Sequence, residues 1–212
     1  MLILYELGIF LAYPSFSNEQ PPEVMAKVLL AWFMALFGAS GYYLPGLIVV
    51  VVLLAWHLLR KDPWRVDRRV LIGMGIESVL LALPLLLYHA VLASGVRLAS
   101  GGWADSVLLS MSAGIYEELV FRLLLINLLT FLLTEVLHLK RPPAELIAVL
   151  VSSVIFALHH CKGFGGGEPF VMSHFLFRSA AGVYLAGVFV LRGFGVAVGC
   201  HTIYDIIVVS MR

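Results

Sequence analysis

Three short stretches place acid, base or imidazole groups at helical spacing inside apolar sequence. The first is Tyr116-Glu117-Glu118-Leu119-Val120-Phe121-Arg122. On a helix, Glu118 and Arg122 are four apart and share a face, whereas Glu117 points about 100° away from Glu118. Arg122 can then neutralise Glu118 and leave Glu117 available for other work. A carboxylate without a counter-ion in low dielectric suits a general base acting near neutral pH. An ion pair stapling two helices accounts for Glu118 and Arg122 but not for a second, adjacent glutamate.

The second stretch, Phe156-Ala157-Leu158-His159-His160, closes an apolar run. One histidine at a helix end reads as an interfacial cap near the C-terminal dipole. Two in succession turn at least one imidazole towards protein. The third, His201-Thr202-Ile203-Tyr204-Asp205, puts His201 and Asp205 four apart on one face. There, Asp205 can orient the imidazole or help hold an anion, or the pair can simply tie the last helix down. Ionisable groups on three different apolar helices turn inward in a membrane bundle, because lipid cannot solvate them. A glutamate, two histidines and an aspartate together make a hydrolytic constellation, with a base to activate water and donors for an oxyanion. The same Glu117, His160 and His201 could instead hold zinc with one open position for water. No His-Glu-x-x-His helix is present and three separate helices would have to supply the ligands, so the reading without a cofactor is preferred.

The elements that must position these groups follow from composition. Of 212 residues, 61% are hydrophobic and 13% charged, and the mean hydropathy is +1.00. A soluble protein of this size cannot hide so much apolar surface. With 14 Lys+Arg against 13 Asp+Glu there is no basic field for phosphates, so no nucleic acid is expected as a partner. Two cysteines are too few for a disulfide scaffold or a four-thiolate zinc site. The expectation is an all-α, polytopic transmembrane bundle of about seven to eight helices, with a catalytic pocket inside the bilayer.

Apolar runs cover about 23–40, 43–60, 69–94, 104–138, 143–160, 171–191 and 194–211. Breaks fall at Pro14 to Pro22, Gly38 to Gly46, the basic Arg60 to Arg69, Ala99 to Gly102, Arg141-Pro142-Pro143, the glycine-rich Gly163 to Pro169, and Gly193 with Gly195. Residues 1–22 read as an interfacial or partly inserted segment. The run at its start lacks the positive n-region of a signal peptide. Residues 23–212 read as one transmembrane domain, with its motif-bearing core at 105–211. The 104–138 run would be about 51 Å long as one helix, so it must tilt, project from the bilayer or break. The positive-inside rule puts Arg60, Lys61, Arg65, Arg68, Arg69, Lys140, Arg141 and Arg192 on the cytoplasmic side, against Arg97, Lys162 and Arg212 outside.

Glu117-Glu118-x-x-x-Arg122, Phe156-x-x-x-His160 and His201-x-x-x-Asp205, in that order, resemble the three motifs of the CAAX-protease and bacteriocin-processing (Abi) family of glutamic-type intramembrane proteases, relatives of the Ras-converting enzyme. The resemblance covers about 105–211. It implies that Glu117 activates water, that His160 works with it, and that His201 and the residue at 205 stabilise the oxyanion. Glu118 and Arg122 take the place of that motif's structural partners. Many members carry asparagine where Asp205 stands here, and an ionised Asp would repel an oxyanion, so Asp205 must be protonated or serve to orient His201. His159 replaces His160 if the register slips by one. The resemblance further implies a membrane-associated protein or peptide substrate, of a kind that can be lipidated or sorting-tagged, cut near its C-terminus. The small size is similar to that of prokaryotic members, which places the chain in a cytoplasmic membrane.

A different class of function, a non-catalytic immunity factor, scaffold or transporter, fits buried Glu and His equally, and Glu77, His89, His174 and Arg178 could belong to it. Glu77 and His89 otherwise read as polar glue between helices, and His174 and Arg178 as residues flanking the site or the membrane surface. Cys161 follows His160 and Cys200 precedes His201, so convergence of the histidines could bring the thiols close enough to pair. One tension remains in the threading. His160 ends its span whereas His201 begins its own, which predicts either an irregular dip over Arg192 to Gly199, favoured by its glycines, or a shorter span.

Overall fold

The computed structural model of the protein describes residues 1–13, 21, 23–61, 63–92, 102–164 and 167–211. Within them the chain forms eight helices: α1 (Leu2–Ala12), α2 (Met25–Ala35), α3 (Leu44–Arg60), α4 (Arg68–Leu92), α5 (Trp103–Val136), α6 (Arg141–His159), α7 (Met172–Arg192) and α8 (Phe194–Ser210). No strand is present among the described residues; the one extended contact is an isolated bridge between Cys161 and Glu168. The expected breaks at 14–20, 22 and 99–101, residues 165–166 of the glycine-rich break, and the charges at Arg97 and Arg212, lie outside the described residues.

Four of the helices, α4 to α7, are long and apolar enough to cross a membrane. The other four, α1, α2, α3 and α8, are shorter apolar helices of 11 to 17 residues. At 11 residues each, α1 and α2 reach only about 17 Å. Much of the exterior is apolar, and several charged groups face inward. Ile3, Leu59, Leu87 and Val91 are exposed, while Lys27, Glu118 and Arg122 are at most 1% exposed. That inversion is what a hydrocarbon solvent selects. The protein is a multi-pass membrane protein built as a helical bundle.

The 104–138 run neither breaks nor shortens. Helix α5 runs unbroken for 34 residues, and its backbone widens to π-helix over Glu118–Ile126 and again over Leu132–Val136. Widened turns of this kind recur at functional sites, and the first begins one residue after Glu117. The Phe121 carbonyl lies inside it and accepts a 2.5 Å hydrogen bond from Ser152 Oγ of α6. A neighbouring helix thereby satisfies backbone that lipid could not.

The turn between α7 and α8 also differs from expectation. There is no irregular dip over Arg192 to Gly199. Gly193, at φ +89°, turns the chain in one residue, and α8 is regular from Phe194. Gly195 and Gly199 are packing residues instead. A Cβ on Gly199 would lie 2.4 Å from Ser78 Oγ, and one on Gly195 2.9 Å from the Met74 side chain, both on α4. The two histidines meet all the same: His160, just past the end of α6, and His201, near the middle of α8, each lie 3.9 Å from Glu117.

Helix α5 is the centre of the bundle. Ile115, Tyr116, Leu119 and Leu123 pack with Tyr5 and Ile9 of α1, Ala26 and Leu30 of α2, Val49 of α3 and Val198 of α8. A second core joins Ala82 and Leu85 of α4 to Phe177 and Leu185 of α7 and Tyr204 of α8. Polar ties fasten the same helices. His89 Nδ1 lies 2.9 Å from the Tyr204 hydroxyl, and Glu77 pairs with Arg192, so both act as the glue expected of them. Cys161 and Cys200 are buried free thiols rather than a disulfide.

Gly114 decides how close α5 and α8 can come. A Cβ there would lie 2.0 Å from Thr202 Oγ1 and 3.0 Å from the Val198 carbonyl. Gly114→Ala is expected to lower stability by about 1–3 kcal/mol through overpacking. In thermal unfolding of the detergent-purified protein its midpoint should fall, whereas Gly73→Ala on α4, which meets nothing within 4 Å, should leave it unchanged or raised.

Candidate active site

Helix α5 brings the two glutamates to the centre of the bundle, and the spacing of the motif works as helical geometry dictates. Arg122 Nε lies 3.3 Å from Glu118 Oε2, with both side chains essentially unexposed. The Arg122 guanidinium also stacks over Phe156 of α6, 4.2 Å from the ring centroid. Glu118 carries a second tie that sequence spacing could not give. Its Oε1 accepts a 2.8 Å hydrogen bond from His201 Nδ1 on α8. One carboxylate is therefore shared between a guanidinium on its own helix and an imidazole on another.

Glu117 faces the other way and is left without such a partner. Its Oε1 is 3.9 Å from His160 Nε2 and its Oε2 3.9 Å from His201 Nε2, and Oε2 is buried without a hydrogen bond. Both gaps are too long for direct hydrogen bonds, yet a water set off either line reaches both ends. His160 is oriented by its own helix, since Nδ1 donates to the Phe156 carbonyl at 2.8 Å. A carbonyl only accepts, so the proton sits on Nδ1, and Nε2 of the neutral ring presents a lone pair to Glu117. Two acceptors that face each other call for a donor of two protons between them.

His201 is the reverse case. With Nδ1–H given to Glu118, its Nε2 lies 3.5 Å from Asp205 Oδ2 and 3.9 Å from Glu117 Oε2. A carboxylate faces each ring nitrogen, so each nitrogen is matched to an acceptor. Asp205 is buried beside it. Thus Glu117, His160, His201 and Asp205 meet in one place, supported by Glu118 and Arg122. His159 turns aside, against the Phe121 ring. Among the described residues, no group of three or more His, Cys, Asp or Glu side chains is arranged to hold a metal ion.

The site opens on a cavity of about 230 Å³. Leu85, Leu109, Phe156, Phe177, Ala181 and Leu185 make most of it apolar, and Glu117, His160, His201, Asp205 and Arg178 supply its polar wall. A second cavity reaches Glu117 and His160 past Glu23, His159 and Glu168. Glu117 and His160 thus form the partition between an apolar space and a more polar one.

A family model described as type II CAAX prenyl endopeptidase Rce1-like matches residues 99–207. That span holds all three motifs. The chain belongs to this family. No curated protein and no solved structure matches the chain. Membership makes this Rce1-like protein one of a family of membrane proteases, in keeping with four long apolar helices around buried acid and imidazole groups.

Two groups of residues escaped the sequence reading. Glu168, between α6 and α7, pairs with Arg178 and stands at the edge of both cavities. Lys27 of α2 is buried, 3.0 Å from Glu23 and 3.4 Å from the centre of the Tyr42 ring. Nearby, the Tyr116 hydroxyl donates to Glu6 at 3.3 Å. Lys27 and Glu23 are four apart, a signal available in the sequence, but it falls in a half that otherwise shows only hydrophobicity.

The Glu118 clamp predicts a specific asymmetry. Arg122→Met leaves a buried carboxylate with half its compensation and is expected to cost about 3–5 kcal/mol. Adding Glu118→Gln removes the stranded charge, so the double variant should unfold at a higher temperature than Arg122→Met alone. A double-variant midpoint at or below that of the single variant would show that Arg122 acts through something other than Glu118.

Proposed function

We propose that the protein is an intramembrane endopeptidase in which Glu117 and His160 activate water for attack on a peptide carbonyl. The observation that carries this is the pair of facing acceptors: the Glu117 carboxylate and the His160 Nε2 lone pair, 3.9 Å apart, one held by α5 and the other by the Phe156 carbonyl. A water bound to both donates one hydrogen bond to each and keeps its own lone pair for the carbonyl. As its oxygen bonds to carbon, one proton passes to Glu117, which can return it to the departing amine. His201 Nε2–H, on the far side of Glu117, is placed to donate to the developing oxyanion. Glu118 holds that ring from behind. Asp205 serves to orient the His201 ring from its position 3.5 Å from Nε2, the role left to it once direct contact with an oxyanion is set aside.

The substrate we infer is a membrane-associated protein cut near its C-terminus. The family description names a CAAX prenyl endopeptidase, and the largely apolar lining of the main cavity accepts an extended apolar segment or a lipid-modified one. The more polar second cavity, ending on the same Glu117 and His160, supplies a route for water apart from the peptide's.

Glu117→Gln keeps shape and hydrogen bonding but cannot take a proton. It is expected to reduce cleavage of a lipidated C-terminal peptide by about 10²-fold or more, with an unfolding midpoint close to wild type. Cleavage at the wild-type rate would remove Glu117 from the mechanism. Asp205→Asn should retain most activity, because an amide oxygen still accepts from His201, whereas Asp205→Leu should not. Cleavage is expected to survive exhaustive chelation. Loss on chelation with recovery on adding zinc would reassign Glu117, His160 and His201 as metal ligands.

A further inference from the structure

The cavity contains a cation that water activation does not use. Arg178 of α7 is 6% exposed and lines the apolar cavity with Glu117, His160 and His201. It shares that cavity wall with His160, Tyr204 and Asp205. A charged side chain inside a membrane bundle is costly and marks function more often than structure. Its counter-ion is unusual for a buried charge. Glu168 is not on a helix, and its side chain is 37% exposed. Arg178 Nη2 donates to both of its carboxylate oxygens, at 2.8 and 2.9 Å.

The backbone around Glu168 keeps that carboxylate at the rim. Lys162 N–H donates to the Glu168 carbonyl at 2.6 Å, and Glu168 N–H to the His160 carbonyl at 3.4 Å. The side chain therefore leaves a strand-like bridge next to His160 and reaches over the cavity to Arg178. It also has somewhere else to go. His174 Nδ1, one turn before Arg178, lies 3.9 Å from Glu168 Oε2 and has no hydrogen-bond partner among the described residues. A structural pair needs neither partial exposure of the acid nor a vacant second partner. An exchangeable pair needs both.

We propose that Arg178 is a carboxylate-binding subsite of the substrate cavity and that Glu168 is its resident occupant, displaced towards His174 when a substrate carboxylate enters. The inference rests on the endopeptidase reading for its substrate, since a peptide drawn into an apolar cavity needs a counter-ion for any acid it carries. The carboxylate is either the free C-terminus of the peptide or an Asp or Glu side chain near the cut. The guanidinium recognises both by the same two-oxygen contact.

The test reads binding without turnover. The full chain carrying Glu117→Gln is purified in detergent. Its affinity is measured, by ligand-induced rise of the unfolding midpoint, for four acetylated apolar pentapeptides. One ends in a free carboxylate and one in an amide. The other two end in an amide and carry a penultimate Asp or Asn. The quantity of interest is the ratio of carboxylate to neutral affinity, measured again with Glu168→Gln and with Arg178→Gln added. For one of the two pairs, the ratio is expected to rise several-fold when Glu168 is neutralised. It should fall by about tenfold or more, to near unity, when Arg178 is lost. The pair that responds identifies which carboxylate is bound. A ratio unmoved by Glu168→Gln, or one that persists in Arg178→Gln, overturns the proposal. If Arg178→Gln does not fold, Glu168→Gln decides alone. Failure of the wild-type protein to cut any peptide would count against the protease reading and leave this ratio a separate measurement.

Discussion

The architecture depends on one buried carboxylate. Glu118 is fully buried and lies against Arg122 on its own helix and His201 on α8. An isolated carboxylate in hydrocarbon would be prohibitive, so its two partners fix where α8 must lie against α5. Gly114, one turn earlier, permits the close approach by offering no Cβ to Thr202. Neither feature works alone. The glycine lets the helices come close enough for the hydrogen bond, and the hydrogen bond gives them a reason to stay. Glu117 is held at a fixed distance from two imidazoles because its neighbour is clamped.

Charge is sorted along that clamp. Arg122 is occupied by Glu118 and by the Phe156 ring, and Arg178 by Glu168. His201 is left to mediate between Glu118 and the pair formed by Glu117 and Asp205. The two histidines differ for a reason visible in their Nδ1 partners: a backbone carbonyl for His160 and a carboxylate for His201. The first suits an acceptor at Nε2, the second a donor. Two side chains of the same type thereby take opposite roles on either side of one glutamate.

Much of this was legible in the residues. Period and composition were enough for an all-helical membrane bundle, and the spacing of Glu118 and Arg122 predicted their pairing, since both lie on one helix. What crosses between helices was harder. The His201 bond to Glu118 and the Glu168 bond to Arg178 join segments with no shared period. Glycines misled in a physical way. Gly195 and Gly199 read as unwound backbone, yet they are the places where α8 touches α4, because small residues serve both ends and the sequence does not say which. The π-widening of α5 left no trace either. Leu, Val and Phe are as compatible with one helical register as with the other, and the Ser152 hydroxyl that meets the Phe121 carbonyl in the first widened stretch comes from another helix.

The uneven helix lengths have a consequence for the lipid itself. Along the flank built by α1, α2 and α3, the longest helix has 17 residues, about 26 Å, against a hydrocarbon layer of about 30 Å. Acyl chains there must compress or tilt to meet the protein. Glu23, just before α2 and on the wall of the second cavity, stands on that short flank. A bilayer of longer acyl chains would resist that deformation, and the protein would be held to thinner patches of membrane.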